Sequence, residues 1–202
     1  MVIELVVATR NRHKTHEIEH ILGPEFKVRD LGAHPEVPEI RESGTSFEEN
    51  AKLKALAAST QLPALVIADD SGLEVDALGG APGIYSARYA GANATEKDKI
   101  DKLLRKLARV RATEDGRRAR FRCVMALARN GNLLGTFEGI AEGSIADAAR
   151  GDSGFGYDPI FIAEGLEQTF GELPTEVKNT ISHRAKAIRA LAVRLRRLEF
   201  GD

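Results

Sequence analysis

Apolar residues along the chain fall into short blocks divided by polar and glycine-rich stretches, and the period within each block predicts an element. Ile3 to Ala8 is a short apolar run that reads as a buried strand. Polar residues Thr9 to Lys14 follow, then a helix with Ile18, Ile21 and Leu22 on one face, stopped by Gly23-Pro24. Ser46-Phe47-Glu48-Glu49 has the S-x-x-E form of a capping box and opens a helix through Leu53 and Leu56 towards Ser59. Ala64 to Ala68 is a second buried strand, ending in Asp69-Asp70-Ser71-Gly72. Thr95 opens a helix with Ile100, Leu103, Leu104 and Leu107 at helical spacing.

The second half reads differently. Arg120 to Ala128 predicts a strand, Asn130-Gly131 a hairpin turn, Leu133 to Phe137 the return strand and Gly139 to Ile145 a third. Pro159 to Ala163 adds one more short strand. The last helix starts near Ser182 and aligns Ile188, Leu191, Leu195 and Leu198. Early alternation of strand and helix, followed by a meander, predicts an α/β fold: a mixed sheet with flanking helices, split into two lobes by a cleft. No repeat or linker divides the chain, so residues 1–202 are read as one domain with two lobes.

Composition narrows the class. Hydrophobic residues make up 43%, enough for a globular interior, which excludes a disordered or fibrous chain. No apolar run approaches the ~20 residues of a membrane helix. Met1-Val2-Ile3-Glu4 lacks the basic start of a secretory leader, so a cytoplasmic location is expected. The single cysteine, Cys123, excludes an intramolecular disulfide, reads as a core strand residue and disfavours thiol or zinc chemistry. With 29 basic and 30 acidic residues, the balance argues against a dedicated nucleic-acid binder but leaves room for small anionic ligands.

Within this frame a few strings carry chemistry. Asp69-Asp70 sits where an apolar strand ends, the place where open α/β sheets hold ligands. Paired carboxylates there suit Mg²⁺, although D-D-S-G is also good turn chemistry. Thr9 to Lys14 joins a strand to a helix N-terminus, where backbone N–H groups and a lysine would meet an anion. It lacks the Walker A pattern. Glu42 gains interest only if the fold brings it to Asp69-Asp70. In Gly154-Phe155-Gly156-Tyr157-Asp158-Pro159 the flanking glycines would let a planar ligand lie on Phe155, with Asp158 accepting from a heterocycle edge. His183-Arg184 at a helix start can donate to carbonyl oxygens or phosphate. Lys102 to Arg122 holds nine Lys/Arg and is either a solvated face or a nucleic-acid patch.

Taken in order, five segments resemble the inosine/xanthosine triphosphate pyrophosphatases: ATRNRHK (8–14), ESGTSFEENAKLKA (42–55), ADDSGLEVDALGGAPGIYSARYAG (68–91), GFGYDPIF (154–161) and ELPTEVKNTISHRAKA (172–187). The resemblance implies an elongated two-lobed α/β fold, a homodimer, and Mg²⁺-dependent hydrolysis of non-standard purine nucleoside triphosphates (ITP, dITP, XTP) to the monophosphate and pyrophosphate. Thr9, Asn11 and Lys14 match the family's phosphate-binding motif, with Arg10, Arg12 and His13 between them in the substrate-binding segment. Arg10 stands where the family often has a small residue. Glu42, Asp69 and Asp70 match the acidic metal positions, and Asp70 the proton acceptor for the attacking water. Lys54 and Lys178 match substrate lysines. Ser71, Phe155, Gly156, Tyr157 and Asp158 match nucleotide contacts, and His183 and Arg184 the pair that reads the 6-oxo group.

The charges agree with that chemistry. A triphosphate brings about four negative charges, which a cation and lysines must neutralise before water attacks. Beside Mg²⁺, Asp70 would stay ionised at neutral pH and take a proton from that water. Two other classes compete: a pyrophosphatase of related fold acting on modified pyrimidine nucleotides, and a non-catalytic nucleotide sensor or nucleic-acid module using Lys102 to Arg122. No stable nucleic-acid or membrane partner is expected.

Overall fold

The computed structural model describes residues 3–110 and 115–200; Arg111 and Glu114 of the basic stretch lie outside them. In chain order the elements are β1 (Ile3–Val7), α1 (Arg12–Leu22), β2 (Phe26–Asp30), α2 (Phe47–Ser59), β3 (Leu65–Val75), α3 (Glu96–Arg109), β4 (Arg118–Arg129), β5 (Asn132–Ile145), β6 (Phe161–Ala163), α4 (Thr175–Ile181) and α5 (His183–Phe200). The strands hydrogen-bond in the order β2-β1-β3-β4-β5-β6. β1 runs parallel to β2 and β3, whereas β5 and β6 are antiparallel, so the sheet is mixed. No helix among the described residues is long and apolar enough to cross a membrane.

The chain forms two compact units. The first comprises residues 1–70, 123–139 and 183–202; the second comprises 71–122 and 140–182.

In the first unit, alternation along the strands sends Leu5, Val7 and Ile67 to one face, where they meet Cys123, Met125 and Leu127 of β4. α1 covers that face with Ile18 and Leu22, and α5 with Ile188, Leu191 and Leu195. Each such side chain, fully buried, contributes about 1.5–3 kcal/mol. α1 begins at Asn11, whose side chain accepts from the N–H groups of His13 and Lys14. Two of the backbone donors expected to greet an anion there are thus already capped.

α2 runs from its Ser46 cap to Ser59 as read, and its buried face is partly polar. Its buried residues are Phe47, Asn50, Ala51, Lys54, Ala55, Ala58 and Ser59, and Leu53 is exposed. The capping box forms by half: Ser46 accepts from the Glu49 N–H, but the Glu49 carboxylate accepts from the N–H and hydroxyl of Thr45. β2 was not foreseen, because its Phe-Lys-Val-Arg-Asp alternation is short and charged, as suits a sheet edge.

Two strand assignments change. β3 does not end at Ala68; Asp69 to Gly72 continue the strand, so the turn reading of D-D-S-G is overturned. β5 is one strand of 14 residues where two were expected. Gly139 reads as a break in sequence, yet a Cβ there would lie 2.0 Å from the His183 carbonyl oxygen of α5. It marks a close approach of helix and strand. The hairpin stands as read, with Asn130 and Gly131 both at positive φ, as a two-residue turn requires.

The second unit has its own core. Phe121, Phe161 and Phe170 cluster with centroids 4.6, 5.0 and 6.1 Å apart, packed with Leu103 and Leu107 of α3. α3 opens on Thr95, which exchanges a full capping box with Asp98. Pro159 belongs to a turn at Asp158–Ile160 that precedes β6.

Candidate functional site

Alternation along β3 separates the two aspartates. Asp69 follows Ile67 onto the face covered by α1 and α5; Asp70 follows Ala68 onto the face of α2. Both are buried, and each is answered by different cations.

Asp69, 2% exposed, is paired with Lys14 Nζ at 2.9 Å and with the Arg184 guanidinium at 3.4 Å. Burial alone would raise its pKa, but Lys14, Arg184 and Lys54 outweigh that and hold the carboxyl well below the usual range. Arg184 is itself buried, with Glu17 Oε2 at 2.6 Å from its other terminal nitrogen. Burial opposes its charge, and Glu17 and Asp69 more than restore it.

On the opposite face Lys54 is the hub. Its Nζ lies 2.7 Å from Glu42 Oε1, donates to the Asp69 carbonyl oxygen at 2.6 Å and sits 3.7 Å from Asp70 Oδ1. Burial favours neutral Lys54, but Asp70, Asp69 and Glu42 together raise its pKa. For Asp70 the balance tips the other way. Burial pushes its carboxyl up and Glu42 adds to that, against Lys54 and an Asn50 hydrogen bond, so without a cation it is raised. A divalent cation beside it would restore the ionised form.

The fold therefore brings Glu42 and Asp70 to one ammonium, that of Lys54. Among the described residues no three acidic, His or Cys side chains gather into a metal cluster. Glu42 and Asp70 fit a Mg²⁺ ion, which takes one or two carboxylates and completes its shell with water and phosphate oxygens. Asp69, engaged by Lys14 and Arg184, fits that role less well.

Thr9 Oγ1 accepts from the Asn11 N–H at 3.2 Å, so Thr9 and Asn11 shape the turn that presents Lys14. Arg12 and His13 are exposed beside it. Arg10 is used elsewhere: its guanidinium donates to the carbonyls of Leu31 at 2.8 Å and Val37 at 2.6 Å, tying down the 31–37 loop. His183, buried, is the first residue of α5, next to Arg184.

In the second unit Asp158 accepts from the Phe155 N–H at 2.8 Å and pairs with Lys178 Nζ at 2.6 Å. The same ammonium lies 4.9 Å from the Phe155 ring centroid. Gly154 has a different purpose from the one expected: a Cβ there would sit 2.1 Å from Asp158 Oδ2, so the glycine makes room for the carboxylate. Gly156 takes φ 66° in the same turn, and the Tyr157 hydroxyl donates to the Ser86 carbonyl at 3.0 Å. Ser71 lies half-buried on β3.

Four cations of the basic stretch are engaged by the chain itself. Lys102 and Lys106 lie over the Tyr89 ring, Arg117 donates to the carbonyls of Ile145 and Ala146, and Arg120 meets Asp76 and Glu142. Cys123 is in the core, its thiol pushed up to about 12 chiefly by burial.

Sequence reasoning missed Glu17 and Asn50. Glu17 carried no signal beyond sharing a helix face with Lys14. Asn50 did carry one, since with Lys54 it interrupts the stripe 47-50-51-54-55-58 that a helix buries.

Comparison with known proteins follows the same lines. The model of the Ham1 family matches residues 5–194. The chain is 48% identical over 188 residues to the dITP/XTP pyrophosphatase of Shouchella clausii, covering 93% of this chain and 94% of that protein. It is 45% identical over 190 residues to the dITP/XTP pyrophosphatase of Bacillus subtilis, covering 94% and 95%. Among solved structures, a HAM1 protein from Coxiella burnetii superposes with a TM-score of 0.87 at 40% identity, over 97% of this chain and 100% of that one.

Proposed function

The chain belongs to the Ham1 family, and from that membership we propose that it hydrolyses the non-standard purine nucleoside triphosphates ITP, dITP and XTP to the monophosphate and pyrophosphate, with Mg²⁺. The observation that carries the reading is the cluster of Glu42, Lys54 and Asp70 in the first unit. A buried carboxylate, Asp70, and a partly exposed one, Glu42, share one ammonium there, the mixed charge that a cation and a polyphosphate together demand.

Glu42 and Asp70 would hold the Mg²⁺ ion, which supplies charge neutralisation at the phosphates and a more acidic water. Asp70 accepts a proton from the attacking water, whose oxygen bonds to the α-phosphorus as the bond to the β-phosphate oxygen breaks and pyrophosphate leaves. Lys14 and Lys54 neutralise phosphate oxygens, and Asp69 with Glu17 holds Lys14 and Arg184 in place. His183 and Arg184 donate to the purine 6-oxo group. Adenine presents an amino donor at that position, and donor facing donor leaves buried groups unpaired, worth about 1–3 kcal/mol per group. A homodimer in the cytoplasm completes this reading, and light scattering on the purified protein tests the dimer.

The deciding experiment is pyrophosphate release from dITP, XTP, dATP and dGTP, with and without Mg²⁺, with Asp70→Asn as control. Expected are Mg²⁺-dependent pyrophosphate from dITP and XTP, little from dATP or dGTP, and a loss of at least about 100-fold in Asp70→Asn. Release of inorganic phosphate would place cleavage at the γ-position and overturn the mechanism. Preference for dUTP would move the assignment to pyrimidine nucleotides, and binding without turnover to a sensor.

A further inference from the structure

Asn50 stands at a position where α2 would ordinarily bury an apolar side chain. It is fully buried, on the same stripe as Phe47, Ala51, Ala55 and Ala58. A buried amide is destabilising unless both of its ends are satisfied. Here both are. Oδ1 accepts from the Gly44 N–H at 2.8 Å, and Nδ2 donates to Asp70 Oδ2 at 3.0 Å. The orientation of the amide follows from chemistry, because a backbone N–H can only donate. The oxygen must therefore face Gly44 and the NH₂ must face Asp70.

Gly44 lies two residues beyond Glu42. A Cβ on it would fall 2.8 Å from Asn50 Oδ1 and 2.7 Å from Glu49 Cβ, so only glycine lets this loop descend to the amide. One helical turn further along α2, Lys54 reaches Glu42 Oε1 and lies near Asp70 Oδ1. Glu42 and Asp70 are thus linked twice. The ammonium links them through Oε1 and Oδ1, and the amide links the Glu42 loop to Oδ2. The first link is a point charge on a flexible stem that the proposed reaction also assigns to phosphate. The second is a neutral amide on a fully buried side chain.

We infer that Asn50 is a positioning residue, which fixes the Asp70 carboxylate and the Glu42 loop relative to each other so that the two remain a competent pair when Lys54 turns to substrate. This rests on the function proposed above. Partners that hold metal-binding carboxylates typically change metal affinity or activity by about 10- to 100-fold when removed.

The test uses Asn50→Leu, which keeps the volume but neither hydrogen bond, and Asn50→Asp, which keeps an acceptor for Gly44 but turns an oxygen towards Asp70. Folding is followed by circular dichroism, and Asn50→Asp carries the test should Asn50→Leu fail to fold. Two quantities are read: kcat and KM for dITP, and Mn²⁺ binding by the nucleotide-free protein. A positioning role predicts kcat lowered and the Mn²⁺ dissociation constant raised, each by about 10- to 100-fold, with KM within about threefold of wild type. A folded Asn50→Asp protein with wild-type kcat and Mn²⁺ affinity overturns the inference, as does a change in KM alone. If wild type binds Mn²⁺ but does not turn over dITP, the proposed function falls and the Mn²⁺ titration still decides Asn50. If it does neither, both fall.

Discussion

Adjacent aspartates on one strand perform different tasks here because a strand turns successive side chains to opposite faces. Asp69 meets Lys14 and Arg184, and Asp70 meets Lys54 and Asn50. The difference has a stability signature. Asp69 has a lower pKa in the folded protein than the unfolded value of about 3.9, so the unfolded chain binds that proton first as the pH falls. Its contribution is complete above that value and fades as the pH drops towards the folded pKa. Replacing it leaves Lys14 and Arg184 facing a neutral amide, which destabilises by about 3 kcal/mol. In urea unfolding, the gap between wild type and Asp69→Asn is expected to be constant above about pH 5 and to narrow below about pH 4. A gap independent of pH would mean that Asp69 acts through packing alone. Arg10 makes a second case. A phosphate contact would show as a raised KM, whereas the observed hydrogen bonds to Leu31 and Val37 make it a strap on the 31–37 loop. Arg10→Ala is expected to lower stability by about 1–3 kcal/mol and expose that loop to proteolysis, with KM for dITP unchanged. Raised KM at unchanged melting temperature would return Arg10 to the substrate.

At the scale of elements, the informative departures share a cause. The stripe that α2 buries is not legible from hydrophobicity alone, because Asn50 and Lys54 on it are polar and the exposed Leu53 is not. That face is set by the carboxylates that α2 must answer. β3 was cut short at Asp69 because a charged pair reads as a strand end, while in the fold each carboxylate finds cations on its own side of the sheet. β5 was divided at Gly139 because glycine reads as a break, while here it lets a strand lie against the first turn of α5. That contact places His183 and Arg184. In Gly139→Ala the new Cβ meets the His183 carbonyl, and relief requires the helix start to move. A stability loss of about 1–3 kcal/mol is expected, together with a lower kcat on dITP, read by thermal unfolding and by pyrophosphate release. Unchanged kcat in a destabilised protein would show that α5 can shift without consequence for the reaction.

Across the whole molecule, each unit closes around its own apolar core, and the cluster of the first unit is assembled from segments far apart in the chain. Arg184 reaches Asp69 across 115 positions and Glu17 across 167. The apolar blocks by themselves determined the α/β class, the main helices and the hairpin at Asn130-Gly131. Those features depend on local periodicity and on backbone preferences that need no distant partner. The polar motifs determined the family, because five strings in a set order are a strong signal even when no contact is known. Only the tertiary structure decided which cation answers which carboxylate, that Arg10 serves a loop, and that Asn50 stands between Gly44 and Asp70. A buried polar group is tolerated only where its partners complete it, and those partners come from other segments of the chain. Nothing in the residues next to Asn50 or Asp70 specifies them before the sheet and helices have brought them within 3.0 Å.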